Sequence, residues 1–197
     1  MTAARQAFTR ESADARRADL IEATAAVLAE HGLAGTSVRA ICAQAGVSPG
    51  LLRHYFEGID DLVAATYQAT SDRMDAIFAA AVEGAGADPR ARLSAYLTAS
   101  FRAPVTDPEL LGAWTAFWAL ARIDARMAAI HATSYAGYRA RLGELLVACG
   151  ARDPDRLAIM LTAMVDGLWL ELSLDAASFG ADAAAQMVER ALAALLP

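Results

Sequence analysis

The side chains best suited to chemistry lie in two separate parts of the chain. Residues 35–56, which read GTSVRAICAQAGVSPGLLRHYF, carry hydroxyls and arginines close together. Residues 110–120 and 164–172, which read LLGAWTAFWAL and MVDGLWLEL, hold the three tryptophans of the chain and two carboxylates. Hydroxyls and guanidinium groups are common partners of phosphates and base edges, whereas tryptophan faces beside a carboxylate suit an organic cation.

No arrangement of residues predicts catalysis or metal binding. His31, His54 and His131 stand at no metal-ligand spacing from one another or from the two cysteines. The sequence also lacks a nucleophile elbow, a phosphate-binding loop and a dinucleotide-binding glycine motif. We therefore expect a protein that is not an enzyme and that uses no cofactor or metal.

The cysteines and the apolar segments favour a cytoplasmic protein outside the membrane. Cys42 and Cys149 suggest no disulfide framework and suit a reducing compartment, and the first residues lack the apolar core of a signal peptide. The most apolar stretch, 157–174, is interrupted by Asp166 and Glu171. This interruption predicts a buried helix instead of a membrane span.

The elements that must position these side chains are predicted to be helices throughout. About a quarter of the 197 residues are alanine, the strongest helix former, and no segment alternates as a strand would. Capping residues followed by proline mark helix starts at positions 48, 88, 107 and 153. We expect an all-α fold with about nine helices and a division into domains at 1–58 and 59–197. The predicted helices are 12–31, 37–45, 49–56, 59–83, 89–103, 108–122, 124–149, 154–175 and 181–196.

The second and third of these helices form a predicted helix-turn-helix. Apolar residues at i, i+3, i+4 and i+7 give the segment 38–45 one buried face. Gly46 follows where a tight turn needs a positive φ, and Val47 can fill the corner between the two helices. Two short helices joined by a glycine turn, with an apolar first helix behind them, are typical of a DNA-binding module.

Residues 16–62 resemble the DNA-binding domain of the TetR family of repressors, on the combination of the AGVS turn, the following Gly50 and the aromatic ending HYF. The resemblance implies that the second helix begins on a phosphate and that the third enters the major groove. Arg53 is the side chain there that can hold guanine O6 and N7 in a bidentate contact, and Tyr55 and His54 suit a phosphate or a thymine methyl. The DNA-binding residues so predicted are Thr36, Ser37, Arg39, Ser48, Pro49, Gly50, Leu51, Arg53, His54 and Tyr55. Each of Arg53, His54 and Tyr55 also has a purely structural alternative, as a solvated or core side chain.

The charge distribution permits DNA binding but contains one departure from the family. The chain carries a net charge of −6 without a single lysine, yet residues 1–56 hold six arginines against five acidic residues. Regulators of this type usually carry a lysine shortly after HYF, and Ile59 stands there instead. We expect weaker non-specific affinity for DNA, which arginines of the N-terminal arm could offset.

The aromatic residues of the second region are predicted to line an effector pocket. Trp114, Phe117 and Trp118 stand at i, i+3 and i+4, with Asp166 and Trp169 further on. Residues 113–119 and 166–172 resemble the C-terminal domain of the choline-responsive Bet-type repressors within the TetR family. The resemblance implies an aromatic cage for a quaternary ammonium such as choline or betaine aldehyde, although the same stripe also suits ordinary core packing or another ligand. The predicted ligand-binding residues are Tyr96, Phe101, Trp114, Phe117, Trp118, Asp166 and Trp169.

The last two helices carry more apolar surface than packing within one subunit would bury. This surplus favours a homodimer through residues 154–196. A twofold dimer would present two recognition helices to palindromic double-stranded operator DNA. The sequence thus predicts a repressor that a small molecule releases from its operator. Two alternatives stay open: a helical protein-binding module without operator binding, and a TetR-type repressor for an unrelated hydrophobic effector.

Overall fold

The computed structural model describes residues 2–175 and 179–196, and side chains from residue 13 onward within those ranges. Within these described residues the fold is all-α, with nine helices and no strand, as predicted. The helices are α1 (Thr2–Gly35), α2 (Val38–Ala45), α3 (Pro49–Tyr55), α4 (Ile59–Gly84), α5 (Pro89–Thr98), α6 (Pro108–Ala121), α7 (Ala125–Ala148), α8 (Pro154–Leu174) and α9 (Ala181–Leu195).

Two predicted helix boundaries are wrong by more than a few residues. The first helix begins at Thr2 because good helix formers precede residue 12, and it reaches Gly35 across a break at Gly32, whose φ is 60°. The fifth helix ends at Thr98 and passes into a 3-10 turn at Ala99–Phe101. Pro104 excludes the predicted end of this helix at residue 103, because the residue before a proline is disfavoured in the α conformation.

Three of the four predicted proline starts have the expected cap. Ser48, Asp88 and Asp153 each accept a hydrogen bond from the backbone N–H three residues further on. Asp107 precedes Pro108 but makes no such bond, so the predicted cap of α6 is wrong. The caps fix where α3, α5 and α8 begin.

The apolar residues form two cores that share α1 and α4. The smaller core joins α1, α2, α3 and the first turn of α4, and Leu62 belongs to it. The larger core joins α4 to α9, and it includes Leu28 of α1 together with Val63 and Tyr67 of α4. Movement of α1 or α4 therefore affects both cores. The buried members of the smaller core are Leu20, Val27, Ile41, Cys42, Leu52, Phe56 and Leu62.

Helix α8 is the one described helix that is long and apolar enough to cross a membrane by length and composition. Its most apolar window is one third buried in this chain. Core helices of globular proteins can have the same length and apolar composition, so these two properties do not by themselves identify a membrane span. The exposed apolar residues of α8 and α9 are Ile159, Met160, Leu170, Leu174, Met187 and Leu195.

Candidate functional site

The turn between α2 and α3 has the predicted helix-turn-helix geometry. Gly46 adopts the left-handed conformation, with φ 64° and ψ 32°, and caps the end of α2. Val47 donates its backbone N–H to the carbonyl of Cys42 and packs against the smaller core. The α2–α3 angle is therefore fixed by one glycine and one apolar contact.

The residues predicted to meet DNA lie on α2, on α3 and directly before these helices, and most of them are exposed. Arg39, Arg53 and His54 are exposed, and neither arginine is ion-paired with a described residue. Tyr55 is half-buried and packs against the smaller core, while its ring also meets the edge of the His54 ring at 5.1 Å. Ser37, Ser48, Pro49 and Gly50 are exposed, and Thr36 and Leu51 are half-buried.

The hydroxyl groups before α2 and α3 differ in whether their hydrogen is free to be donated to a phosphate. Ser37 Oγ accepts from Ala40 N at 3.2 Å, and Ser48 Oγ accepts from Leu51 N at 3.3 Å. Neither serine uses its hydrogen in these bonds, so both can donate to a phosphate. Thr36 Oγ1 instead donates to the carbonyl of Gly32 at 2.7 Å. Thr36 therefore stabilises the end of α1 and has no spare hydrogen in this conformation.

Ile59, which replaces the expected lysine, has a structural role. It is half-buried and packs against both cores at the start of α4. The nearby Asp61 accepts from Arg126 at 2.8 Å, which ties α4 to α7 and lowers the pKa of Asp61. Arg17 lies over the Phe56 ring at 4.9 Å and adds a cation close to this corner.

A cavity lies between α4, α6, α7 and α8 in the larger core. Its volume is about 60 Å³, roughly the space of four to six waters at about 10–15 Å³ each. This volume suits a small ligand. The cavity is lined by Ser71, Met74, Asp75, Phe78, Ser100, Trp114, Trp118, Ser134, Tyr135, Tyr138, Thr162, Val165, Asp166 and Trp169.

Four of the seven predicted ligand residues lie on the cavity wall: Trp114, Trp118, Asp166 and Trp169. The other three are placed behind it by their packing. Phe117 is fully buried and stacks on Tyr67 at 4.4 Å, and Tyr96 stacks on Tyr138 at 4.9 Å. Phe101 is buried in the same core without reaching the wall. Trp114, Phe117 and Trp118 span more than the side of α6 that faces the cavity, so they cannot all lie on its wall.

Sequence reasoning missed the contributions of α4 and α7. Ser71, Asp75 and Phe78 face the cavity from α4, and Tyr135 and Tyr138 face it from α7. The i, i+3 spacing of the two tyrosines on a helix with many alanines was an available signal. Nothing in the sequence indicates that α4 also presents a carboxylate to the same space.

A chain of hydrogen bonds orients Asp166. The indole N–H of Trp118 donates to the Tyr135 hydroxyl at 3.0 Å, and that hydroxyl donates to Asp166 Oδ1 at 3.1 Å. Burial raises the pKa of Asp166 to about 6, although the Tyr135 bond and the charge of Arg139 act in the opposite direction. The carboxylate is thus mostly ionised near neutral pH, in surroundings that disfavour its charge.

Hydrogen bonding and packing connect the cavity wall to α4 and α1, the helices that the two cores share. The Tyr67 hydroxyl lies 2.9 Å from His131 Nδ1, and the His131 ring lies 4.1 Å from the Tyr135 ring. Burial lowers the pKa of His131, which favours the neutral imidazole. On the other side, Gly112 of α6 packs so closely on Ala29 of α1 that a Cβ would stand 2.9 Å from the Ala29 backbone. Both α4 and α1 are therefore in contact with helices that line the cavity.

Among the residues from 13 to 175 and 179 to 196, no group of three or more His, Cys, Asp or Glu residues could hold a metal ion. The cavity wall presents hydroxyl groups, aromatic rings and carboxylates. A helix-turn-helix followed by a helical region with its own cavity is the architecture of a DNA-binding regulator with a separate ligand site.

Comparison with known proteins agrees with this class. The family model for bacterial regulatory proteins of the tetR family matches residues 20–66, and that for the C-terminal region of BetI-type transcriptional repressors matches residues 89–197. The chain belongs to the TetR family of transcriptional repressors and carries a BetI-type C-terminal domain. It is an effector-responsive DNA-binding regulator, and not an enzyme.

Individual relatives and solved structures cover nearly the whole chain. The HTH-type transcriptional regulator BetI of Paraburkholderia xenovorans is 34% identical over 86% of this chain and 87% of its own, and that of Rhizobium meliloti is 34% identical over 88% and 86%. A transcriptional regulator from Pseudomonas aeruginosa PAO1 superposes with a TM-score of 0.83 at 41% identity, over 92% and 90% of the two chains. A regulator from Saccharomonospora viridis in complex with choline has the same fold, with a TM-score of 0.83 at 17% identity over 91% and 96%.

Proposed function

We propose that this repressor binds a palindromic operator as a homodimer and is released from it by a small organic cation such as choline or betaine aldehyde. Residues 1–58 are the DNA-binding domain in this proposal, and residues 59–197 bind the effector and the second subunit. The protein acts in the cytoplasm, where its operator lies. One observation carries the choice of ligand: an aromatic cavity that contains a half-buried carboxylate, Asp166, without an ion-pair partner among the described residues.

The wall chemistry supports a cation over an anion. A quaternary ammonium offers no hydrogen to donate, so aromatic faces and a carboxylate are the groups that recognise it, at about 0.5–2 kcal/mol for each cation–π contact. Trp118 and Trp169 meet edge to face at 5.8 Å on this wall, and Trp114 lies beside them on the α6 side. Asp75 adds a second carboxylate. The residue is exposed, but partial desolvation at the cavity and the charge of Asp72 raise its pKa.

The exposed apolar surface supports the dimer. Six large apolar side chains of α8 and α9 are exposed in the single chain, and Ile159 and Leu174 are 60% and 74% exposed. Leu192, by contrast, is fully buried within the subunit, so it does not probe the interface. Sedimentation should show a dimer for the wild type and a monomer for Ile159→Glu with Leu174→Glu. Ile123→Glu is the matched control, because Ile123 is 79% exposed and lies outside α8 and α9.

The direct test of the proposed function is fluorescence anisotropy with a duplex from upstream of the chain's own gene. We expect tight binding that weakens steeply with salt and that choline or betaine aldehyde reverses. Trp114→Ala and Asp166→Asn should keep operator binding and lose the response. Operator binding that neither compound changes, in wild type and variants alike, would reject the cationic effector.

A second candidate is a neutral hydrophobic effector, favoured by the apolar side chains of Met74, Phe78 and Val165 on the same wall. Calorimetry with choline and its neutral carbon isostere, 3,3-dimethyl-1-butanol, separates the two. Stronger binding of choline supports the cationic effector, and equal or stronger binding of the isostere supports the hydrophobic one.

A further inference from the structure

Arg17 of α1 lies at the corner where α3 ends and α4 begins. Its guanidinium carbon stands 4.9 Å from the centre of the Phe56 ring, and Phe56 directly follows α3. The hydrogen bond from Arg126 is the main cause of the lowered pKa of Asp61, and the charge of Arg17 contributes to it. Asp61 belongs to the first turn of α4. The charge of Arg17 is therefore close to the turn that begins with Ile59, where the expected lysine is missing.

The guanidinium of Arg17 is available to an anion from outside the chain. The residue is exposed and has no ion-pair partner among the described residues. The nearby Asp61 is already bonded through both oxygens: Oδ1 accepts from Arg126 at 2.8 Å, and Oδ2 accepts from the backbone N–H of Glu57 at 3.3 Å. Asp61 therefore has no free oxygen that would draw Arg17 away from an outside anion.

The contact with Phe56 holds the guanidinium in place without using its hydrogen-bonding capacity. Phe56 is 3% exposed and belongs to the smaller core, so it is a fixed support. An aromatic ring offers no oxygen acceptor, so the five N–H donors of Arg17 stay free. They form a planar fork that fits two oxygens of one phosphate. A side chain that is already positioned also loses less conformational entropy when it binds.

The other charges at this corner disfavour DNA. Glu57 and Asp60 are exposed carboxylates without an ion pair among the described residues, and Ile59 between them carries no charge. A phosphate that approaches the start of α4 would meet these carboxylates. Arg17 is the cation near this turn that no described carboxylate engages, so it can offset their repulsion.

We propose that Arg17 binds a phosphate of the DNA backbone beside the end of α3, in place of the lysine that Ile59 replaces. Ile59 packs against both cores, and the charge comes from α1 instead. A phosphate contact carries no sequence information, so it strengthens binding to operator and unrelated DNA alike and helps to orient α3 in the groove. This inference depends on DNA binding alone, and not on the effector or on the symmetry of the operator.

Fluorescence anisotropy at several salt concentrations tests the contact, with the duplex from upstream of the chain's own gene and with a scrambled duplex. Arg17→Met removes the charge and keeps an unbranched side chain over Phe56. We expect binding to both duplexes to weaken on the order of fivefold. The slope of log affinity against log salt should fall by about 0.9 for each Arg17 in the complex. Arg53→Ala, by contrast, should change the ratio of the two affinities.

Arg16→Met is the matched control, because it removes the same charge from the neighbouring position of α1. The guanidinium of Arg16 already pairs with Asp19 at 3.3 Å, so the slope should stay that of the wild type. A slope change in Arg17→Met no larger than that in Arg16→Met would overturn the inference. A lower Tm of Arg17→Met with an unchanged slope would do the same, because it would give Arg17 a purely structural role.

Ile59→Lys tests whether the two positions serve the same phosphate. A lysine stem can lie along the apolar surface that Ile59 covers and keep its ammonium group in solvent. Added to Arg17→Met, this change should restore most of the lost affinity and slope on both duplexes. Added to the wild type, it should change them less, because the phosphate already has a partner. Equal gains in the two backgrounds would show two different phosphates and would contradict the replacement.

Discussion

The helix-turn-helix and the cavity differ in how well their polar groups are hydrogen-bonded. In the first region, the hydroxyls of Thr24, Thr36, Ser37 and Ser48 all bond to nearby backbone, and the core between the helices is apolar. In the second, three buried polar atoms have no hydrogen-bond partner among the described residues, and the half-buried Asp166 lies in surroundings that disfavour its charge.

The difference reflects what each region binds. DNA is an extended polyanion, so a rigid surface with exposed arginines and serine hydroxyls can bind it without rearrangement. The proposed cationic effector, by contrast, would enter a cavity between helices and contribute interactions that the described residues lack. The cavity therefore carries unfavourable polar burial that its ligand relieves, and the ligand can favour one conformation by that relief.

The largest expected effect belongs to the DNA-binding surface. Arg53→Ala should weaken operator binding by about 1–3 kcal/mol and relax the preference at one guanine, because Arg53 is the long cationic side chain exposed on α3. Anisotropy across operator variants measures both effects. Arg152→Ala removes an exposed arginine from the α7–α8 turn and should change neither. Unchanged sequence preference in Arg53→Ala would show that this arginine does not contact a base.

Asp166→Asn should affect the cavity and leave the DNA surface unchanged. We expect at least about tenfold weaker choline binding, in line with the loss of a charge-assisted contact. The ligand-free variant should have a higher Tm at pH 7.5, since the wild-type carboxylate is ionised there at a cost. That gain should shrink as the pH falls from about 6 towards 4, where the wild-type carboxylate is protonated in the folded state. A lower Tm at pH 7.5 would contradict the raised pKa.

Gly112→Ala should disturb the connection between the two regions. Its Cβ would stand 2.9 Å from the backbone of Ala29, so α6 and α1 must separate, at about 1–3 kcal/mol of stability. The separation of α6 from α1 should also weaken the choline-dependent release of the operator. Gly137→Ala is the control in α7, where a Cβ meets nothing within 4 Å, and it should raise stability by up to about 1 kcal/mol. Similar unfolding curves for the two variants would show that the α1–α6 contact is not tight.

The smallest effect is a pH dependence of choline binding. Choline keeps its charge at every pH, so protonation of Asp166 near pH 6 removes its main countercharge. The pKa of Asp75 is also raised, so its protonation acts in the same direction. Affinity should be constant above about pH 7 and about tenfold weaker at pH 5. Calorimetry at several pH values measures this. Asp166→Asn should show a flatter profile, and a wild-type affinity that rises on acidification would contradict the assignment.

The same contrast explains which features the sequence predicts. Gly46, Val47 and the Ser48–Pro49 cap act within a few residues of their own position, so pattern and propensity are enough to place the helix-turn-helix. The cavity joins four helices that are distant in sequence, and its wall depends on how they rotate against one another. Trp114 and Trp118 were recognisable as a stripe, but Phe117 on the same stripe faces Tyr67 instead. Asp75 and Tyr138 become site residues only through tertiary packing.

The coupling between the two regions is tested most directly by titrating choline into the protein with and without bound operator. Linkage requires that the factor by which choline weakens operator binding equals the factor by which operator weakens choline binding. We predict that both factors lie in the range of roughly 5–150-fold and agree with each other. Choline that binds the cavity with the same affinity in the free and the operator-bound protein would contradict the account, because the cavity would then have no influence on DNA.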